Sequence, residues 1–235
     1  MPAAPAVRAS DSDHVKLRAY LGPFWQRHHE AAARAMPRLL KGRPKDSGGD
    51  DAVAAELIAL HVYMTAVEDT ALRTALADED DQSLTLLRCV KSGMRRLPSY
   101  RGIALSTAEE LVTRLGPDAV GGEWTPTLPV RAASVSGAGP RMPVDHVLIW
   151  SVTGRRTGDL AGDGTGDVLF AQESRFRVLG LARQGIATVG LLQEVPRQAH
   201  ASTAALDAAL LKRLRAVLDS PPPPTLPSLP PRGAS

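Results

Sequence analysis

The sequence predicts an α+β fold, with helices first and a mostly antiparallel sheet after them. Two observations carry that reading. Apolar residues recur at helical spacing as far as Leu97, and beyond Pro98 the texture changes to short strand candidates. Those candidates follow one another without the βαβ alternation of a doubly wound fold.

The elements can be justified in chain order. Residues 1–13 are small and polar, which predicts a disordered N-terminus. Residues 14–50 read as a helical extension and linker: helices at 14–21 and 24–40 are interrupted at Pro23, and a stretch of glycine and charge follows. His28 and His29 are adjacent, so they cannot share a helix face as a metal pair would, and they are expected at the surface. A main domain is expected over 51–200. Its first helix is capped by Asp50 or Asp51 and carries Leu57, Leu60, Met64, Val67 and Leu72 on one stripe. The acidic run 77–83 breaks it, and a solvated loop explains that run better than a cation site. A further helix over 83–97 stops at Pro98 and holds Cys89 as a small apolar residue.

After Pro98 a strand is expected at 100–105. A helix over 106–116 follows, with Ser106 as N-cap and Glu109 completing a capping box. Strands follow at 130–135, 145–152, 167–171, 175–182 and 187–195, the last two joined by a glycine-containing hairpin. Residues 201–219 hold a C-terminal helix with Leu206, Leu210, Leu214, Val217 and Leu218 on one stripe, and 220–235 form a proline-rich disordered tail.

The 235 residues, 43% of them hydrophobic, suffice for one core with extensions. Lys+Arg 28 against Asp+Glu 25 leaves a net charge of +3, and "MRRLP" at 94–98 is the densest basic cluster. That gives nucleic acid little support as a partner. One cysteine excludes an internal disulfide and a cysteine-rich metal site, and no metal is expected. There is no apolar run of membrane-spanning length and no basic start followed by an apolar run. The expectation is therefore a soluble protein, cytoplasmic by default, with signal-less export left open.

"LPSYRG", a helix, "S-x-S" in a strand, "DVLFAQESRFRVLGL" and a closing "TVGLLQEV" occur here in that order. This order resembles the mono-ADP-ribosyltransferases of the arginine–serine–glutamate class over roughly residues 55–195. The resemblance implies a split, mostly antiparallel sheet core and NAD as substrate. ADP-ribose would pass to a protein acceptor of unknown identity or to water. It places Arg101, followed by Gly102, at the NAD phosphates and ribose, where a planar guanidinium makes paired hydrogen bonds. Without the downstream pattern, Arg101 would read as a surface arginine before a turn glycine. Ser134 is the better match for the serine that holds the catalytic carboxylate, and Ser136 is the alternative. Ser106 and Thr107 fit a helix cap better.

The family's glutamate immediately before Val-Leu is here Asp167, and the position two residues earlier, acidic in arginine-modifying members, is Thr165. Aspartate keeps the charge but retracts the oxygens by about 1 Å, which can cost roughly a hundredfold in rate. Thr165 cannot act as an acid toward an arginine acceptor. Asp159 and Asp163 offer displaced carboxylates, although a flexible loop explains that segment more simply. Two functions follow from the resemblance. One is an NAD-dependent ADP-ribosyltransferase or NAD glycohydrolase of weak activity, with Asp167 and Ser134 catalytic and Arg101, Gly102 and Ser134 binding NAD. The other is a degenerate pseudoenzyme used as a binding or regulatory module.

Overall fold

A computed structural model describes residues 8–39, 50–66, 80–136, 142–161, 167–196 and 204–220. Its helices are α1 (Asp11–Leu21), α2 (Trp25–Leu39), α3 (Asp50–Ala66), α4 (Asp81–Met94), α5 (Glu109–Val112) and α6 (Ala204–Asp219). Its strands are β1 (Gly102–Ser106), β2 (Glu123–Trp124), β3 (Val130–Val135), β4 (His146–Ser151), β5 (Arg155–Arg156), β6 (Asp167–Phe170), β7 (Arg175–Gln184) and β8 (Ala187–Val195). Helices thus precede a sheet whose pairs are antiparallel except for β4 with β8. The chain is α+β, as its sequence predicts.

Helices α1 to α4 form one lobe. Leu17, Leu57, Ile58, Leu60, Tyr63, Leu86 and Val90 are buried together there, each apolar side chain contributing about 1.5–3 kcal/mol. Leu169 of β6 and Leu160 belong to the same cluster, so this core runs onto the sheet. The Tyr63 hydroxyl donates to Pro129 O at 2.6 Å, and Arg131 donates to Met64 O, which ties α3 to β3. Cys89 is buried in the lobe, and burial pushes its thiol up to about 12, so it packs as an apolar residue.

Several expectations need correction. Helix α1 starts at Asp11, three residues inside the stretch expected to be disordered, because Ser10 and Asp13 form a capping box. Helix α4 starts at Asp81, with Asp80 capping it through Ser83 N. The expected helix over 106–116 shrinks to the single turn of α5, and Ser106 does not cap it. Ser106 ends β1 instead; its hydroxyl donates to Arg131 O and accepts from Ala108 N, so the local capping geometry gives way to a bond across the sheet. On α6, Leu210 and Leu214 are buried but Leu206 is 48% exposed. His28 is half-buried against His61 of α3 with their Nδ1 atoms 2.9 Å apart, rather than a free surface residue. Val67, Leu72, Asp163, Thr165 and the tail lie outside the described residues.

The strand order is β2-β7-β8-β4-β1-β3-β6-β5, unbroken, so the two halves of the sheet stay joined through β4 and β1. Side chains alternate between its faces. Ala104, Ala132, Val168, Phe170 and Phe176 pack on one face. Ile103, Leu105, Leu148, Leu191 and, from α6, Leu214 pack on the other.

Candidate functional site

Strands β1, β3 and β6 are neighbours, and their antiparallel pairing puts the N-termini of β1 and β6 beside the C-terminus of β3. Arg101 precedes β1, Ser134 lies near the end of β3, and Asp167 opens β6. The three residues singled out from sequence therefore lie on three adjacent strands but not in one row: Arg101 stands just before the first residue of β1, whereas the Asp167 row meets β1 at Leu105, near its other end. Ser134 pairs with Ala104, and Asp167 pairs with Ala133, which in turn pairs with Leu105.

That register separates Ser134 from the Asp167 row. Ser134 shares a face with Val130 and Ala132, whose side chains enter one core, while Val135 packs against the other. Ala133, the partner of Asp167, is on the Val135 face. Neither Ser134 nor Ser136 makes a side-chain hydrogen bond among the described residues; Ser134 is half-buried and Ser136 exposed.

Arg101 is exposed and makes no hydrogen bond or ion pair among the described residues. Its neighbours are the opposite. Tyr100 is buried, donates its backbone N–H to Gly154 O at 2.7 Å and its hydroxyl to Ile103 O at 2.6 Å. Burial pushes the Tyr100 phenol up. The Arg156 guanidinium stands 5.0 Å above its ring. Gly102 has φ 154°, and a Cβ there would lie 2.9 Å from the Tyr100 hydroxyl, so the position requires glycine.

This fold-back of Tyr100 rests on the turn after β4. The Glu194 carboxylate, 1% exposed, accepts from Val152 N at 2.7 Å and Thr153 N at 2.8 Å, and from the Thr153 hydroxyl. The Ser151 hydroxyl lies 3.2 Å from the same carboxylate and 3.3 Å from Tyr100 O, and accepts from Gly154 N. A Cβ on Gly154 would fall 2.6 Å from that hydroxyl, which keeps the turn tight. Arg155 extends the join, donating to Leu97 O and the Ser99 hydroxyl, and Arg156 N donates to Pro98 O. Sequence reasoning missed Glu194 and Tyr100. The available signal was an acid within the apolar run "VGLLQEV".

A groove of about 470 Å³ opens where α3 meets the sheet, lined by Tyr63, Leu105, Leu128, Arg131, Ala133 and Met142, with Glu109 and Glu110 also on its wall. Ala133 connects it to the Asp167 row. Arg101 and Ser134 are not on its wall. Among the described residues no group of three or more histidine, cysteine, aspartate or glutamate side chains could hold a metal ion. Among them also, no helix is long and apolar enough to cross a membrane.

No family model matches the sequence, and no curated protein matches it. Solved structures do. The type III effector XopAI from Xanthomonas axonopodis pv. citri matches with a TM-score of 0.58 at 18% identity, over 80% of this chain and 85% of its own. The ADP-ribosyltransferase HopU1 of Pseudomonas syringae pv. tomato DC3000 matches with a TM-score of 0.53 at 12% identity, over 80% of this chain and 99% of its own. Exoenzyme S from Pseudomonas aeruginosa, solved with human 14-3-3 protein beta and carba-NAD, matches with a TM-score of 0.52 at 15% identity, over 84% of this chain and 96% of its own. At these identities the likeness establishes the fold, which is that of ADP-ribosyltransferases.

Proposed function

We propose that this protein binds NAD across β1, β3 and β6 and acts on it as a slow ADP-ribosyltransferase or NAD glycohydrolase. The observation that carries the reading is Arg101: a guanidinium without a partner among the described residues, on a backbone held on both sides. A free arginine on a rigid support is suited to grip a diphosphate, because little conformational freedom is lost on binding. The Asp167 row lies four residues farther along the strands, roughly 14 Å away. A separation of that size suits an extended ligand rather than a single ion.

In the proposed reaction Arg101 holds the diphosphate and Gly102 lets the ligand approach the backbone. The bond from ribose C1′ to the nicotinamide nitrogen breaks, and nicotinamide leaves with the electron pair. Asp167 offers a negative charge to the positive charge developing on the ribose, and a protein nucleophile or water forms the new bond at C1′, losing its proton. Aspartate in place of glutamate shortens the reach, so turnover is slow. Thr165 argues against arginine as the acceptor. XopAI's description as a type III effector supports a role on a protein target outside the producing cell.

One observation favours the second reading, a degenerate module that binds without turnover. Ser134 and the register partner of Asp167 lie on opposite faces, so a serine hydroxyl steadying that carboxylate requires rearrangement of the strand ends. Calorimetric titration with NAD, with nicotinamide release followed in the same sample, separates the readings. Binding with release supports the enzyme, and binding without release supports the module. No binding removes both. In the enzyme, Asp167→Glu should raise nicotinamide release by about tenfold to a hundredfold, the size of a positional defect of about 1 Å.

A further inference from the structure

We propose that Glu194 is a positioning residue for Arg101: its buried carboxylate sets the turn after β4, and that turn fixes the backbone from which Arg101 projects. The functional consequence rests on the NAD reading above; the mechanical one does not.

Glu194 sits near the end of β8, beyond the last registered pair of β8 with β4, Trp150 with Gln193. Ser151 follows Trp150 and pairs with Gly102 of β1. Gly102, Ser151 and Glu194 thus form one row across three strands, and Arg101 is the residue just before that row. The carboxylate accepts from the backbone N–H groups of Val152 and Thr153 and from the Thr153 hydroxyl, and the one proton of the Ser151 hydroxyl lies between it and Tyr100 O. None of these donors is charged, so the group has no cation to hold in place. What it holds is a turn.

The turn grips the segment before β1 by its backbone. Gly154 O receives Tyr100 N–H, the Ser151 hydroxyl reaches Tyr100 O, and Pro98 O receives Arg156 N–H. Both backbone groups of Tyr100 are therefore bound to the turn that Glu194 organises, and the Tyr100 ring closes over Gly102. Glu194→Gln keeps one acceptor oxygen but turns the other into an NH2 donor, so the donors that converge on the two carboxylate oxygens are no longer all answered, which loosens the turn and the peptide carrying Arg101. A glutamate serves where an apolar residue would pack more cheaply because only an acceptor with two oxygens can satisfy converging donors.

The test compares the full-length protein with Glu194→Gln, alone and combined with Arg101→Lys. It reads NAD affinity by calorimetry and amide hydrogen exchange residue by residue. Losing about one hydrogen bond's worth of preorganisation should weaken NAD binding by about tenfold in the Arg101 background. It should weaken binding by less than about twofold in the Arg101→Lys background, where the guanidinium being positioned is gone. Exchange should quicken at Tyr100 and Arg156, which Glu194 does not touch, and stay unchanged in α3 and α4. Equal losses in both backgrounds, or faster exchange spread over the whole sheet, would mean a merely structural role and overturn the proposal. So would unchanged exchange at Tyr100. If the unmodified protein binds no NAD, the reading of function falls, while quickened exchange at Tyr100 still upholds the hold of Glu194 on the turn. Should Glu194→Gln not fold, Ser151→Ala removes the hydroxyl between Glu194 and Tyr100 O and carries the same expectations at smaller size.

Discussion

Among the described residues the helical lobe and the sheet each bury one glutamate, and the two are answered differently. Glu56 of α3 is 4% exposed and meets the Arg96 guanidinium, with His14 Nε2 at 3.7 Å. Glu194 of β8 is 1% exposed and meets neutral donors of one turn. The first joins α3 to His14 within α1 and to Arg96 just past α4, across elements. The second shapes a single loop. A buried carboxylate paired with a cation holds parts of the fold together; one surrounded by N–H groups dictates a local backbone path. The lobe's glutamate is thus read as a matter of stability and the sheet's as one of position.

The largest effect expected from that contrast is on Glu56. Glu56→Ala removes the buried carboxylate that meets the Arg96 guanidinium, 17% exposed, at a cost of about 3 kcal/mol. For a chain of this size that lowers the Tm by about 6–12 °C. Arg96→Ala should cost a similar amount, and the double variant clearly less than the sum. NAD affinity should not change. A variant that unfolds no earlier, or that loses NAD binding while still folded, would break the distinction between the two glutamates.

The second effect is smaller and depends on pH. His28 and His61 join α2 to α3 through a single hydrogen bond between ring nitrogens, which requires at least one Nδ1 to be unprotonated. Burial, then the His28 ring and Arg27 and Arg34, lower His61 to about 4, and burial followed by Arg27 lowers His28. The unfolded chain takes up a proton near pH 6.5, whereas folded His61 resists it down to about 4. Stability contributed by this ring is full above pH 6.5 and is lost as pH falls through that window. The slope is at most about 1.4 kcal/mol per pH unit, and less because the ring is partly solvated. Thermal unfolding between pH 7.5 and 5 should show a falling Tm, and His61→Gln, which keeps an amide for His28, should flatten it. An unchanged slope would show that the pair does not couple the two helices.

These particulars also show which parts of the molecule could be read from the chain. Strands β3 and β8 carry enough apolar residues, bounded by turns, for their limits to be visible. β2 and β5 have two residues each and no pattern of their own; they exist because β7 and β6 offer them edges. The capping box expected at Ser106 does not form, because Arg131 O takes the hydroxyl and the helix starts only at Glu109. The site divides the same way. Arg101, Ser134 and Asp167 were singled out because they stand in a recognisable order, and β1, β3 and β6 are neighbours in the sheet, with the Arg101 and Asp167 rows four residues apart along β1. The face each one shares depends on a one-residue register, which composition does not carry. His61 and Glu194 were hidden for a further reason: each is a polar residue in a mainly apolar run, and its partner lies tens of residues away.

The smallest effect on stability is expected at Arg101 itself, and it is the sharpest test of the comparison. The side chain is exposed and has no partner among the described residues, so the fold gains nothing from its charge. Arg101→Ala should leave the unfolding free energy within about 0.5 kcal/mol of the unmodified protein. The backbone on either side is held by bonds that do not involve its side chain: Tyr100 to Gly154 and Ser151, and Gly102 within β1. On the NAD reading the same change removes the diphosphate grip and abolishes measurable binding. A residue that is energetically idle in the free protein and decisive for a ligand has the signature of a site. Denaturant unfolding and NAD calorimetry on one preparation supply both numbers. A loss of 2 kcal/mol or so would mean that Arg101 has a structural partner in the segments beside the strand ends, and the free guanidinium would no longer support a binding role.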